Sequence, residues 1–192
     1  MPTTTLVPIE QLVSALRRCS ERNFHELDTV REILRTHPVD PATLAPYLLW
    51  DRQHYTRNLI DKSPLYELIA ICWEAGQFSS IHNHKDQNCW MAAPIGRLLV
   101  QNYRVLQQDL DRGTCDLAPS DSVEISPTNP VAVDPREPVH KVSNIPEYAE
   151  RAVSLHVYSR PFDSCVVYSD EQHKCGEIKL SYTSEYGQRR HA

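Results

Sequence analysis

Gly76-Gln77-Phe78-Ser79-Ser80-Ile81-His82-Asn83-His84-Lys85-Asp86-Gln87-Asn88-Cys89-Trp90-Met91-Ala92-Ala93-Pro94-Ile95-Gly96 is the stretch around which the chain is organised. In a strand, alternate residues share a face, so His82 and His84 point the same way. Two imidazoles projecting together can grip one metal ion. A bare His-x-His also fits two surface histidines in a polar loop. The frame favours the metal: glycines bracket the segment where a small barrel must bend tightly, and apolar strands lead into it (Leu65 to Trp73) and out of it (Arg97 to Arg104).

The segment resembles the first cupin motif, Gly-x5-His-x-His-x4-Glu-x6-Gly, at every spacing, with Cys89 where most cupins carry a glutamate ligand. His140-Lys141-Val142-Ser143-Asn144 matches the His-x3-Asn that ends the second cupin motif. The cysteine substitution, together with Tyr55-Thr56-Arg57-Asn58-Leu59 and Ser154-Leu155-His156-Val157-Tyr158, resembles the cysteine dioxygenase family over about residues 50–186. The expected fold is mainly β: a small cupin-type β-barrel, or jelly-roll sandwich, with an N-terminal helical cap.

At 192 residues one domain is expected, with a cap over residues 1–50, a barrel over 51–186 and a tail over 187–192. The net charge of −5 and the scattered basic residues give no nucleic-acid footprint. No apolar run reaches spanning length, and the N-terminus shows no basic region followed by an apolar core. The expectations are a cytosolic monomer with no membrane or nucleic-acid partner. Cysteines occur at 19, 72, 89, 115, 165 and 175 with no Cys-x-x-Cys pair, which argues against a disulfide framework.

Residues 1–50 read as helical. Pro8 suits a first turn, and Ile9, Leu12, Val13 and Leu16, then Leu27, Val30, Ile33 and Leu34, follow at helical spacing. Asp40-Pro41 reads as an N-cap and first-turn proline of a short helix toward Leu49. Beyond Tyr55, short runs rich in Val, Ile, Leu and Tyr are broken by Pro, Asp, Asn and Gly, the pattern of a sandwich or barrel. Strands are predicted over 55–61, 65–73, 80–83, 88–93, 97–104, 122–125, 131–134, 139–142, 153–159, 164–168 and 177–183. The polar tail is expected to fray.

His82, His84 and His140 form the candidate metal set. Three neutral imidazoles leave the full dipositive charge on an ion for an anionic ligand, whereas a carboxylate ligand would weaken a thiolate's hold. Imidazole suits iron, zinc, copper and nickel alike. The resemblance implies mononuclear non-haem Fe(II); a zinc site that activates water is the alternative from the residues alone. Cys89 has three readings: a thiolate ligand, an inert buried thiol or, as the resemblance implies, one end of a thioether to Tyr158. Ser154, His156 and Tyr158 alternate on one strand and share a face. That face is either polar and outward, with Leu155 and Val157 inside, or inward beside the metal, as the resemblance implies.

The resemblance makes Arg57 the clamp for a substrate carboxylate, a role its planar fork suits, with Tyr55 on the same face. The substrates it implies are L-cysteine and O2, giving cysteine sulfinate, with Tyr158 oriented by His156 and Ser154 toward the reacting groups. A dioxygenase for another small thiol, such as 3-mercaptopropionate, would carry glutamine in place of Arg57. A metal-binding cupin that is not an oxygenase is the more distant alternative. One departure is local: Ser159-Arg160-Pro161 stands where the animal members carry Ser-Pro-Pro with a cis bond. A cis bond before Arg160 would cost about 2.5–4 kcal/mol.

Overall fold

The computed structural model describes residues 5–136 and 138–190. Three helices come first: α1 (Ile9–Arg17), α2 (Glu21–His25) and α3 (Leu27–Thr36), then a 3-10 turn over Pro41–Tyr47. Their apolar stripes face inward, with Ile9, Leu12, Leu16, Val30 and Leu34 buried. Pro8 is the N-cap of α1 rather than a member of its first turn. Asp40 caps as expected, its carboxylate accepting from Ala42 N at 3.0 Å. The segment that follows winds as a 3-10 helix with Pro46 inside it and stops at Tyr47 instead of running to Leu49.

Thirteen strands follow among the described residues: β1 (Thr56–Lys62), β2 (Glu67–Trp73), β3 (Ile81–His82), β4 (Cys89–Ile95), β5 (Leu98–Asp109), β6 (Thr114–Ile125), β7 (Val131–Ala132), β8 (Val139–Ser143), β9 (Ala152–Tyr158), β10 (Ser164–Ser169), β11 (Lys174–Lys179), β12 (Ser184–Glu185) and β13 (Gln188–Arg189). One sheet runs β13-β12-β1-β2-β9-β4-β7, and β10-β11-β6-β5-β8-β3 closes into a ring. The mainly β barrel with a helical cap is what the sequence predicts. Gly76 and Gly96 take φ of +86° and +67°, and a Cβ at Gly96 would meet the Arg151 carbonyl at 2.6 Å. Both turns therefore need glycine.

The main differences lie at the strand ends. β5 and β6 form one long hairpin that extends well past Arg104 and begins well before Ser122. β11 starts at Lys174 and ends at Lys179, three residues earlier at its start and four at its end than predicted. The tail is not frayed through Arg190: β13 pairs with β12, and β12 pairs in parallel with β1. Residues 191 and 192 lie outside the described residues.

The seven-stranded sheet is apolar on both faces, because both are covered. Leu68, Ala70, Cys72, Trp90, Val153, Leu155 and Val157 pack under the helices, and Ile69, Ile71, Trp73, Cys89, Met91 and Tyr158 line the barrel interior. The cap is also pinned by polar contacts. Trp90 Nε1 donates to Leu27 O at 2.7 Å, and Arg17 grips the buried Asp61 carboxylate through Nε (3.0 Å) and Nη2 (2.5 Å). The Tyr66 hydroxyl donates to the same carboxylate. No described helix is long and apolar enough to cross a membrane.

Candidate metal centre and substrate pocket

β3 carries His82 into the ring, where it pairs with His140 of β8; His84 follows two residues later, at the start of the loop to β4. Their nearest nitrogens lie within 4.8 Å of one another. Among the described residues no carboxylate or thiolate joins these three donors, so Cys89 is not a fourth ligand here. His82 Nδ1 faces the Ser80 carbonyl at 2.9 Å. A carbonyl only accepts, so Nδ1 carries the proton and Nε2 keeps its lone pair for the cluster. Both ring nitrogens of His84 and of His140 are buried with no hydrogen-bond partner among the described residues.

Orphaned imidazoles at this depth are costly unless something binds them. Burial pushes all three toward the neutral form: His82 is lowered to about 4, and His84 and His140 fall well below the ordinary value, each other's charge adding to the effect. Neutral, converging and unpartnered imidazoles fit a divalent metal ion.

The inward placement of the β9 row is settled by what covers the other side. Leu155 and Val157 pack under the helices, leaving Ser154, His156 and Tyr158 in the lumen, all buried. His156 Nε2 lies 2.9 Å from Ser154 Oγ, and its Nδ1 lies 3.2 Å from the Tyr158 hydroxyl. The row has a fourth member that sequence reasoning missed: Trp73 Nε1 donates to Ser154 Oγ at 2.9 Å. Burial lowers His156 to about 3, so its ring is neutral and relays one donor and one acceptor along the row.

Cys89 and Tyr158 are direct cross-strand partners, 0% and 2% exposed. Directly opposed residues bring their Cβ atoms to about 4.5–5.5 Å. Burial pushes both the thiol and the phenol above their ordinary values, and a charge on Cys89 would further raise the cost of ionising Tyr158.

Arg57 lies on the same lumen-facing side, paired in register with Ile71. Its Nε and Nη2 are buried and have no hydrogen-bond partner among the described residues. A small pocket brings together Tyr55, Arg57, Ser80, His82 and Tyr158 with Phe162, Cys165 and Leu180. Tyr55 precedes β1 but still reaches this pocket, stacked on Trp73 with centroids 4.6 Å apart. Phe162, which sequence reasoning did not single out, packs edge-on against Tyr158 at 4.9 Å. Asn144 is no ligand: its Nδ2 ties the Trp73 and Glu150 carbonyls at 3.2 and 2.8 Å, fixing the turn after β8. Among the described residues no peptide bond is cis, Ser159-Arg160 included.

A closed strand ring with His-x-His and a third imidazole converging in its lumen defines a metal-binding cupin. The model of the family described as cysteine dioxygenase type I matches residues 3–171, and the chain belongs to that family. Relatives include cysteine dioxygenase type 1 of Danio rerio, 26% identical over 94% of this chain and 89% of its own length. The Rattus norvegicus protein of the same name is 28% identical over 95% and 88%. A solved protein with a double-stranded β-helix domain from Klebsiella pneumoniae aligns at 13% identity and a TM-score of 0.43, over 61% of this chain and 81% of its own.

Proposed function

We propose that the chain is an Fe(II)-dependent thiol dioxygenase that adds both atoms of O2 to the sulfur of L-cysteine, giving cysteine sulfinate. The observation that carries this reading is the half-buried Arg57, whose Nε and Nη2 are buried without hydrogen-bond partners in the same pocket as His82 and Tyr158. An unpaired buried cation is costly, and a substrate carboxylate would relieve it bidentately. His82, His84 and His140 would hold the metal, which when bound supplies the redox chemistry that O2 requires.

The chain's own residues do the rest. Arg57 fixes the carboxylate, and Tyr55 stacked on Trp73 forms the wall beside it. Tyr158 presents a hydroxyl whose direction is set by His156, Ser154 and Trp73. Phe162 and Leu180 add apolar surface to the pocket wall. Holding both reactants in one small space supplies proximity. The cross-strand placement of Cys89 and Tyr158 supports a thioether between Sγ and the phenol ring, a two-electron oxidation that breaks the S–H and a ring C–H bond and passes two electrons and two protons to O2, the oxidant the proposed reaction already uses. Six free thiols suit a reducing compartment, which supports a cytosolic location.

Oxygen uptake across L-cysteine, 3-mercaptopropionate and cysteamine tests the assignment. L-cysteine should be turned over best, with one O2 consumed per sulfinate. A clear preference for 3-mercaptopropionate would transfer the chain to the neighbouring thiol class, and no uptake with any thiol would point to a non-oxygenase cupin.

A further inference from the structure

Glu67 is a carboxylate in an unusual position. It opens β2, is 0% exposed, and shares the lumen-facing side of its strand with Ile69, Ile71 and Trp73. Its neighbours across the sheet are Lys62 on β1 and Tyr158 on β9. Oε2 accepts from the Tyr182 hydroxyl, while Oε1 has no hydrogen-bond partner among the described residues. The same hydroxyl receives Lys62 Nζ at 3.5 Å, and the ammonium stands 5.5 Å from the centre of the Tyr182 ring.

Arg57 stands on β1 opposite Ile71, on the same lumen-facing side of the sheet and four residues along β2 from Glu67. Burial pushes the Glu67 acid up, and the Tyr182 hydroxyl, Arg57 and Lys62 each pull it part of the way back. Yet Arg57 Nε and Nη2 and Glu67 Oε1 are all without hydrogen-bond partners among the described residues. A buried cation and a buried carboxylate in each other's field would relieve both costs by pairing. The restraint on the Glu67 carboxylate is the bond from Tyr182.

Resting on the reading of Arg57 as a carboxylate clamp, we propose that Tyr182 holds the Glu67 carboxylate off Arg57. The guanidinium then stays free for a substrate carboxylate, while the nearby anion tempers how tightly that carboxylate is held. Tyr182 is thus a positioning residue and Glu67 a specificity residue for carboxylate-bearing thiols.

The test is anaerobic titration calorimetry on the iron-loaded protein, with L-cysteine and with cysteamine, which lacks the carboxylate. Tyr182→Phe frees the Glu67 carboxylate to turn onto Arg57, so the Kd for cysteine should rise about tenfold while that for cysteamine moves less than about twofold. Glu67→Gln keeps an oxygen for Tyr182 but removes the charge, so it should tighten cysteine by about threefold. The double variant should return the cysteine Kd to the native value or below. A merely structural role for the pair would weaken both ligands together, and Glu67→Gln would not rescue Tyr182→Phe. An unchanged cysteine Kd in Tyr182→Phe, equal losses for both ligands, or no rescue in the double variant overturns the proposal. Arg57→Ala separates the two levels. If it weakens both ligands equally, the clamp reading fails and takes this proposal with it. If it weakens cysteine alone while Tyr182→Phe does not, only the proposal fails.

Discussion

Removing the Arg57 guanidinium is the sharpest perturbation of substrate choice. Two of its donors, Nε and Nη2, are buried and unpartnered, which is the state a bidentate carboxylate would complete. A hydrogen bond to a charged group contributes about 1.5–3 kcal/mol net. Two in one fork are not additive, so about 3 kcal/mol is a reasonable total. At about 1.4 kcal/mol per factor of ten, Arg57→Ala should lower kcat/KM for L-cysteine by roughly two orders of magnitude. Cysteamine should start as a poor substrate and change less than about threefold. Arg57→Lys should not restore full activity, because an ammonium cannot present the planar fork. Steady-state oxygen uptake with both substrates and both variants reads this directly. Equal proportional losses for cysteine and cysteamine would mean that Arg57 supports the fold, and the assignment to cysteine would lose its main residue-level support.

Other expectations follow from neighbouring contacts. Cys89 and Tyr158 oppose each other across β4 and β9, so a fraction of the denatured native protein should weigh two hydrogens less than its sequence; Cys89→Ala should abolish that fraction while leaving reduced activity. Ser154→Ala leaves Trp73 Nε1 and His156 Nε2 without partners and should cost about 2–3 kcal/mol in urea unfolding, together with activity lost through a misdirected Tyr158; an unchanged urea midpoint would show that the row is not coupled. Asp61→Asn weakens the junction of cap and barrel at Arg17 and Tyr66 and should cost about 1–3 kcal/mol, with faster amide exchange in residues 9–36 than in the barrel; uniform exchange would contradict that junction.

The metal donors were legible because their constraint is local. His82 and His84 are two residues apart, and their spacing to Gly76, Gly96 and Cys89 fits a single motif. The facing of Ser154, His156 and Tyr158 was legible only as two alternatives, since period two says which residues share a face but not which face is covered. The cap decides it by burying Leu155 and Val157. Trp73, Phe162 and Tyr182 were missed because their roles arise from contacts between distant segments. Glu67 did leave a signal, a lone charge opening the buried run Leu68 to Trp73. The outer part of β5 lacks the alternation of a half-buried strand, because every residue from Arg104 to Gln108 is exposed, whereas the facing end of β6 buries Cys115 and Leu117. The tail reads as polar coil, and only its parallel pairing with β1 orders it.

The central claim is that three neutral imidazoles hold a redox-active iron for thiol oxygenation. It is tested most directly by reconstituting metal-free protein with Fe(II) or with Zn(II) and following oxygen uptake and product with L-cysteine. Zinc has no redox chemistry. Stoichiometric cysteine sulfinate is expected with Fe(II), none with Zn(II), and none with Fe(II) in His140→Ala. Full cysteine-dependent oxygen consumption with zinc alone, or iron-loaded native protein that consumes no oxygen with cysteine, would contradict it.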